Sequence, residues 1–145
     1  MHLILCTAPN PGAWLLRFVM WSRWSHSAIL DEGVEDGVVY DSTLWGGGVR
    51  VDSMIAFFDH YMAHETRKIE IPAERLEEAR AWLREQVGKP YDWTALLSWI
   101  VRRDWQEPDA WFCSELSEAF IDRFANKRFR ESVSRITPRH QDMLV

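Results

Sequence analysis

The stretch SHSAILDEGVEDGVVYDST, residues 25–43, decides how this chain folds. Two β-rich runs, SHSAIL (25–30) and VVYDST (38–43), flank the acidic, turn-forming DEGVEDG, a pattern that predicts an antiparallel hairpin. Two-residue alternation puts His26 on the face of Ala28 and Leu30, and Asp41 on the face of Val39. An inward histidine needs polar partners. Asp41 lies close to its register across the hairpin; Tyr40, on the opposite face, and Asp31, in the turn, are the alternatives. A satisfied core histidine and a catalytic base fit this pattern equally well.

Outward from the hairpin, HLILC (2–6) reads as a short strand stopped by APNPG, and AWLLRFVMWSR (13–23) has helical apolar spacing. WGGGVRVDS (45–53) supplies a third strand, VRV. Its Trp45, Gly46 and Gly47 form either a cleft wall close to a substrate or an ordinary tight turn. Residues 53–63 predict a helix capped by Ser53, and RKIEIP (67–72) a strand ended by Pro72. Residues 73–88 form the clearest helix, with Leu76, Ala79, Leu83 and Val87 as its stripe and Gly88 as its stop. Asp92 caps a further helix, WTALLSWIVRR, and Asp109 is placed to cap one that carries Cys113 and runs to about Arg123 or Ala125. SRITPRHQDMLV reads as a last strand, a turn and a tail. With no repeat, low-complexity run or linker, residues 1–145 are expected to form one α+β domain, a small antiparallel sheet packed against helices.

With 145 residues, 47% apolar and 27% charged, the chain has globular composition and enough length for a real core. A net charge of −5 argues against nucleic acid as a partner, since phosphate contacts need a basic face. Two cysteines, Cys6 and Cys113, are too few for a disulfide framework. The first residues lack the pattern of a secretory signal, and ALLSWIV (95–101) is far short of a membrane span. The expected location is cytoplasmic, or delivered with a phage particle. Nine tryptophans are many for this length; they fill a core or line a cleft.

Cys113 opens its helix. Helical spacing sets it on one face with Leu116, Phe120 and Phe124, and Glu115 and Glu118 on the other. A helix N-terminus offers unpaired N–H groups and partial positive charge, which favour a thiolate and can hold an oxyanion. A buried, inert cysteine is the competing reading. Among the histidines, His2 and His140 lie near the termini. His60 and His64 stand at i, i+4 on a possible helix, a metal-ligand spacing with no third ligand in sensible register, so no metal or other cofactor is expected. That leaves His26 as the candidate base.

The blocks WSRWSHSAIL, VVYDST, GKPYDW and WFCSELSEAF, followed by RITPRHQDML, resemble those of the circularly permuted papain-like enzymes. These are the YiiX-type amidases or peptidases, related to the NlpC-type cell-wall peptidases and to the lecithin:retinol acyltransferase group. The resemblance spans about residues 13–143. It implies a permuted papain-like fold with Cys113 as nucleophile, His26 as base and Asp41 as the polar third member, where glutamate is the commoner choice. Tyr91 and Glu115 match motif positions as well, Tyr91 as a possible cleft wall and Glu115 as a hydrogen-bonding anchor. The implied activity is acyl-enzyme hydrolysis of a peptide or peptidoglycan-stem amide. A lipid or other acyl ester is the second substrate class, and a non-catalytic phage assembly module the alternative.

Overall fold

The computed structural model describes residues 1–93, 109–129 and 136–143. Its strands are β1 (His2–Thr7), β2 (His26–Asp31), β3 (Val38–Thr43), β4 (Gly48–Ser53) and β5 (Ala63–Lys68). Its helices are α1 (Pro11–Met20), α2 (Met54–Asp59), α3 (Leu76–Gln86), α4 (Cys113–Phe124) and α5 (Pro138–Met143), with a 3-10 turn at Ala73–Arg75. The strands make one antiparallel sheet in the order β4-β3-β2-β1-β5. The fold class is therefore mixed α and β around a small antiparallel sheet.

The sheet is covered on both faces, which is why β2 is buried at every position. Leu3, Leu5, Ile29 and Tyr40 face Leu83 of α3 and Phe120 and Phe124 of α4. On the other side Ile4, Cys6, Ala28, Leu30 and Val39 gather around Phe57 of α2. Fully burying one such side chain stabilises by roughly 1.5–3 kcal/mol, so these two clusters hold the hairpin rigid from both sides.

The glycines after Trp45 serve the chain's own packing. Gly48 has φ +140° and forms a bridge with Pro90; a Cβ there would collide with the Lys89 carbonyl oxygen. Val49 N–H donates to Lys89 O at 2.8 Å, and Gly88 N–H to Val49 O at 2.8 Å. The ladder continues into the entry of α4: Trp111 N–H donates to Pro90 O at 3.0 Å, and Ser42 Oγ–H to Trp111 O at 2.6 Å. These bonds tie the residues just before Cys113 to β3 and β4.

Several expectations are corrected. α2 ends at Asp59, and His64 lies in β5, so His60 and His64 do not share a helix face. The strand expected at residues 67–72 begins at Ala63 and ends at Lys68; β1 has only Met1 O left to accept from Ile69 N–H. Val87 is exposed and Gln86 takes its place on the buried side of α3. Asp109 does not cap α4. The cap position is Phe112, whose N–H donates at 3.0 Å to the Glu115 carboxylate. Glu115 and Glu118, away from the Cys113 face of α4, are both buried: Glu115 accepts from the Phe112 N–H, and Arg128 and Gln141 hold the Glu118 carboxylate. Instead of a tail after a turn, Pro138 opens α5, where its missing N–H costs nothing. The helix expected after Asp92 and the strand expected near residues 134–136 lie largely outside the described residues. Tryptophan use differs too: Trp99 and Trp105 are outside the described residues, and among the others only Trp24 is buried, while Trp14, Trp21, Trp45 and Trp93 are exposed.

Candidate active site

His26 is the first residue of β2, beside α1 and at the open end of the hairpin. Its ring lies 5.5 Å from that of Tyr61, nearly parallel at 5°, and tilts against Phe57. This clamp leaves the imidazole one orientation. Nε2 stands 3.0 Å from Asp41 Oδ2. The aspartate therefore reaches the ring despite being a methylene shorter than glutamate. Tyr40 packs in the opposite core cluster, and Asp31 accepts from Arg80 Nε at 2.7 Å, so neither alternative partner meets His26.

Asp41 is fully buried and needs more than one partner. Arg50, directly opposite it in the β3–β4 register, donates from Nε to Asp41 Oδ1 at 3.0 Å. Burial alone would raise the carboxyl. The bond and charge of His26, joined by Arg50, hold it below the usual aspartate value. Cys113 lines the same cavity as His26 and acts on the imidazole electrostatically. With Nε2 committed to Asp41, Nδ1 is the ring nitrogen without a partner among the described residues of the sheet. Burial would depress the ring, but the bond of Asp41 and the charges of Asp41 and Cys113 outweigh it and lift His26 from 6.5 to about 10. At neutral pH the ring is an imidazolium. His26, Asp41 and Arg50 thus form one hydrogen-bonded array, and Cys113 borders the cavity onto which its imidazole opens.

Cys113 is the first residue of α4, where the backbone N–H groups have no intrahelical acceptor. Next to it, burial and then the neighbouring negative charges push the Tyr91 hydroxyl above its ordinary value, so it stays protonated. Burial, helped by the charge of Asp92 and opposed by the Phe112 N–H, raises Glu115 to about 7. Glu115 holds the turn that presents the thiol.

Cys113 and His26 open onto a cavity of about 260 Å³ whose walls include Leu15, Leu16, Leu44, Trp45 and Tyr91. Trp45 and Tyr91 line it, as anticipated. Gly46 and Gly47 do not; their N–H groups turn back to Thr43 Oγ1 and Leu44 O. Sequence reasoning missed Arg50 and Tyr61. The signal for Arg50 was there: in VRV it shares a face with the residues opposite Asp41 once the second hairpin is in register. Tyr61 had no such signal, because it lies beyond the end of α2 in the segment leading to β5. Among the described residues no group of three or more His, Cys, Asp or Glu side chains is arranged to hold a metal ion.

Compared with known protein families and with curated proteins, the sequence matches no family model and no curated sequence.

Proposed function

We propose that the protein is a cysteine hydrolase of the permuted papain-like kind, acting through an acyl-enzyme. The observation that carries this reading is a single cavity lined by both a thiol at a helix N-terminus and an imidazole held by the buried Asp41 carboxylate. A packed, inert cysteine does not need a charged triad, and burying one without use is costly.

In the proposed cycle Cys113 Sγ, as thiolate, attacks the carbonyl carbon of the substrate. The resulting oxyanion faces the amino end of α4, where the Cys113 N–H donates to it. His26 gives its proton to the departing amine or alcohol as the C–N or C–O bond breaks, leaving a thioester on Cys113. Neutral His26 then takes a proton from water, whose oxygen attacks the thioester. The acid product leaves, and sulfur and imidazole regain their charged forms. Asp41 steadies the cation throughout and is not itself protonated.

A peptide or peptidoglycan-stem amide fits this chemistry. The cavity favours the other class, an acyl ester or acyl amide: among the described residues its lining has, apart from His26, no charged side chain that would fix the carboxylates of a stem peptide. The test has two parts. Iodoacetamide at neutral pH should label Cys113 faster than a free thiol, and Cys113→Ser should abolish turnover. Medium-chain thioesters and p-nitrophenyl esters should then be compared with muropeptides. Slow labelling together with no turnover of either class would return the chain to the reading of a non-catalytic assembly module.

A further inference from the structure

Around the mouth of this cavity the protein displays aromatic side chains where a water-facing surface would have polar ones. On α1 and its cap, Trp14 is 64% exposed, Phe18 65% and Trp21 82%; on the β3–β4 turn Trp45 is 91% exposed. Trp14 and Phe18 stack with centroids 5.8 Å apart, and Leu15 and Leu44 extend the patch. α1 buries Ala13 on its inner side, so it is apolar on both faces, a pattern that burial within the domain does not account for. Leu15, Leu44 and Trp45 belong to the exposed patch and also line the cavity that ends at Cys113.

We infer that this rim docks on a lipid bilayer surface, with Trp14, Phe18 and Trp21 seated in the interfacial zone and Arg17 on the headgroup phosphates. Charge supports this occupant. The segments 8–23 and 42–49 contain Arg17 and Arg23 and no carboxylate, although the whole chain is at −5. Arg23 is committed to Glu65 and Asp142. Arg17 has no ion-pair partner among the described residues, and its Nε is left without an acceptor. It lies one turn from both Trp14 and Trp21, so a phosphate could meet its guanidinium while the indoles enter the acyl boundary. Tryptophan is the residue of that boundary because it has an apolar body and one N–H donor. A second copy of the chain is the poorer fit, since it would seal the cavity mouth that Leu15, Leu44 and Trp45 leave open. No described helix is long and apolar enough to cross a membrane, so the contact would be peripheral. The docking rests on the acyl-hydrolase reading for its purpose: it would bring an acyl substrate from the bilayer directly to the cavity.

Flotation with phosphatidylcholine vesicles, and with the same vesicles containing phosphatidylglycerol, tests the proposal. Wild-type protein and Cys113→Ala should both float with the mixed vesicles. The double variant Trp14→Gln/Phe18→Gln should bind at least ~10-fold more weakly. Arg17→Gln should lose only the added affinity for the anionic lipid. Trp14 and Phe18 are exposed, and unchanged circular dichroism melting in each variant would verify folding. Wild-type protein that floats with neither vesicle overturns the docking. So does a wild-type dimer, measured by light scattering, that Trp14→Gln/Phe18→Gln converts to monomer, since the rim would then be a contact between copies. Turnover of a water-soluble short-chain thioester separates the two readings. It should be unchanged in Trp14→Gln/Phe18→Gln. If wild type binds vesicles but never turns that thioester over and Cys113 stays unreactive, the hydrolase reading fails and the docking stands.

Discussion

Replacing Asp41 by asparagine isolates the central electrostatic element of the site. The rise of His26 from 6.5 to about 10 corresponds to a preference for the imidazolium on the order of 5 kcal/mol, shared between Asp41 and Cys113 and already net of the burial that opposes it. Asp41→Asn removes the negative charge at 3.0 Å from Nε2 and leaves Arg50, on the other side of the amide, with Asp52 as its remaining carboxylate partner. Both changes lower His26, to its ordinary value or below. If the amide oxygen stays with Arg50, the amide NH2 meets Nε2 and drives the ring proton to Nδ1, so the ring presents a donor to sulfur instead of a base. The expected fall in kcat/KM is about 10³–10⁴-fold, or ~4–5 kcal/mol. The pH profile of iodoacetamide labelling, read at the Cys113 peptide by mass spectrometry, distinguishes this from unfolding. Wild-type Cys113 should react faster than a free thiol throughout the neutral range. In Asp41→Asn that excess should be lost. Cys6, whose thiol is pushed up by burial and by the nearby charges, should remain unlabelled and serves as the internal control. Stability should change in a defined direction. A histidine raised on folding contributes stability that is complete below about 6.5 and is lost as pH rises through about 10, so the variant should lack that alkaline decline. An unchanged labelling profile and rate in a folded Asp41→Asn protein would refute the reasoning.

Other perturbations read the supports around the array. Arg50→Met removes the bond to Asp41 Oδ1, so the carboxylate should protonate at higher pH; the acid limb of kcat/KM should move up, while Arg50→Lys should hold it in place with roughly 10-fold lower activity. Gly48→Ala drives a Cβ into the Lys89 backbone at φ +140° and should lower stability by upwards of ~3 kcal/mol in a denaturant melt, with loss of thiol reactivity as the approach to Cys113 shifts. For Glu115, raised to about 7 by burial, the folded protein keeps a proton that the unfolded chain releases. Wild-type stability should therefore fall as pH rises from about 4.5 to 7, by at most ~3 kcal/mol from this group. Glu115→Gln keeps an acceptor for the Phe112 N–H and should remove that slope, giving a gain at pH ~8 and none at pH ~5 in thermal melts.

Much of the site was legible because it depends on short-period geometry. Alternation in two neighbouring strands put His26 and Asp41 on one face; the register that pairs Ile29 with Tyr40 makes them diagonal neighbours, a separation that a long side chain such as histidine spans. Position alone put Cys113 in the first turn of its helix. What was not legible shares a different cause. The burial of Glu118 had no local signal, because Arg128 and Gln141, which hold its carboxylate, come from elsewhere in the chain. The three glycines left a cleft wall and a tight turn both open; the structure makes Gly46 and Gly47 a turn, and the close approach at Gly48 is to Lys89 and Pro90, which arrive from a segment far along the chain. His60 and His64 looked paired only while the helix between them was assumed to continue.

The hairpin, the inward face of His26 and Asp41, and the helix-start placement of Cys113 could be read along the chain, because each follows from the periodicity of one or two adjacent elements. Packing between distant elements brought Cys113 to the cavity that His26 lines, set Arg50 and Tyr61 around the imidazole and its carboxylate, and left some apolar residues outside. Trp14 and Phe18 satisfy the same helical pattern as a buried stripe. Which stripe of a doubly apolar helix faces the core is set by what packs against it, and a linear pattern does not contain the partner.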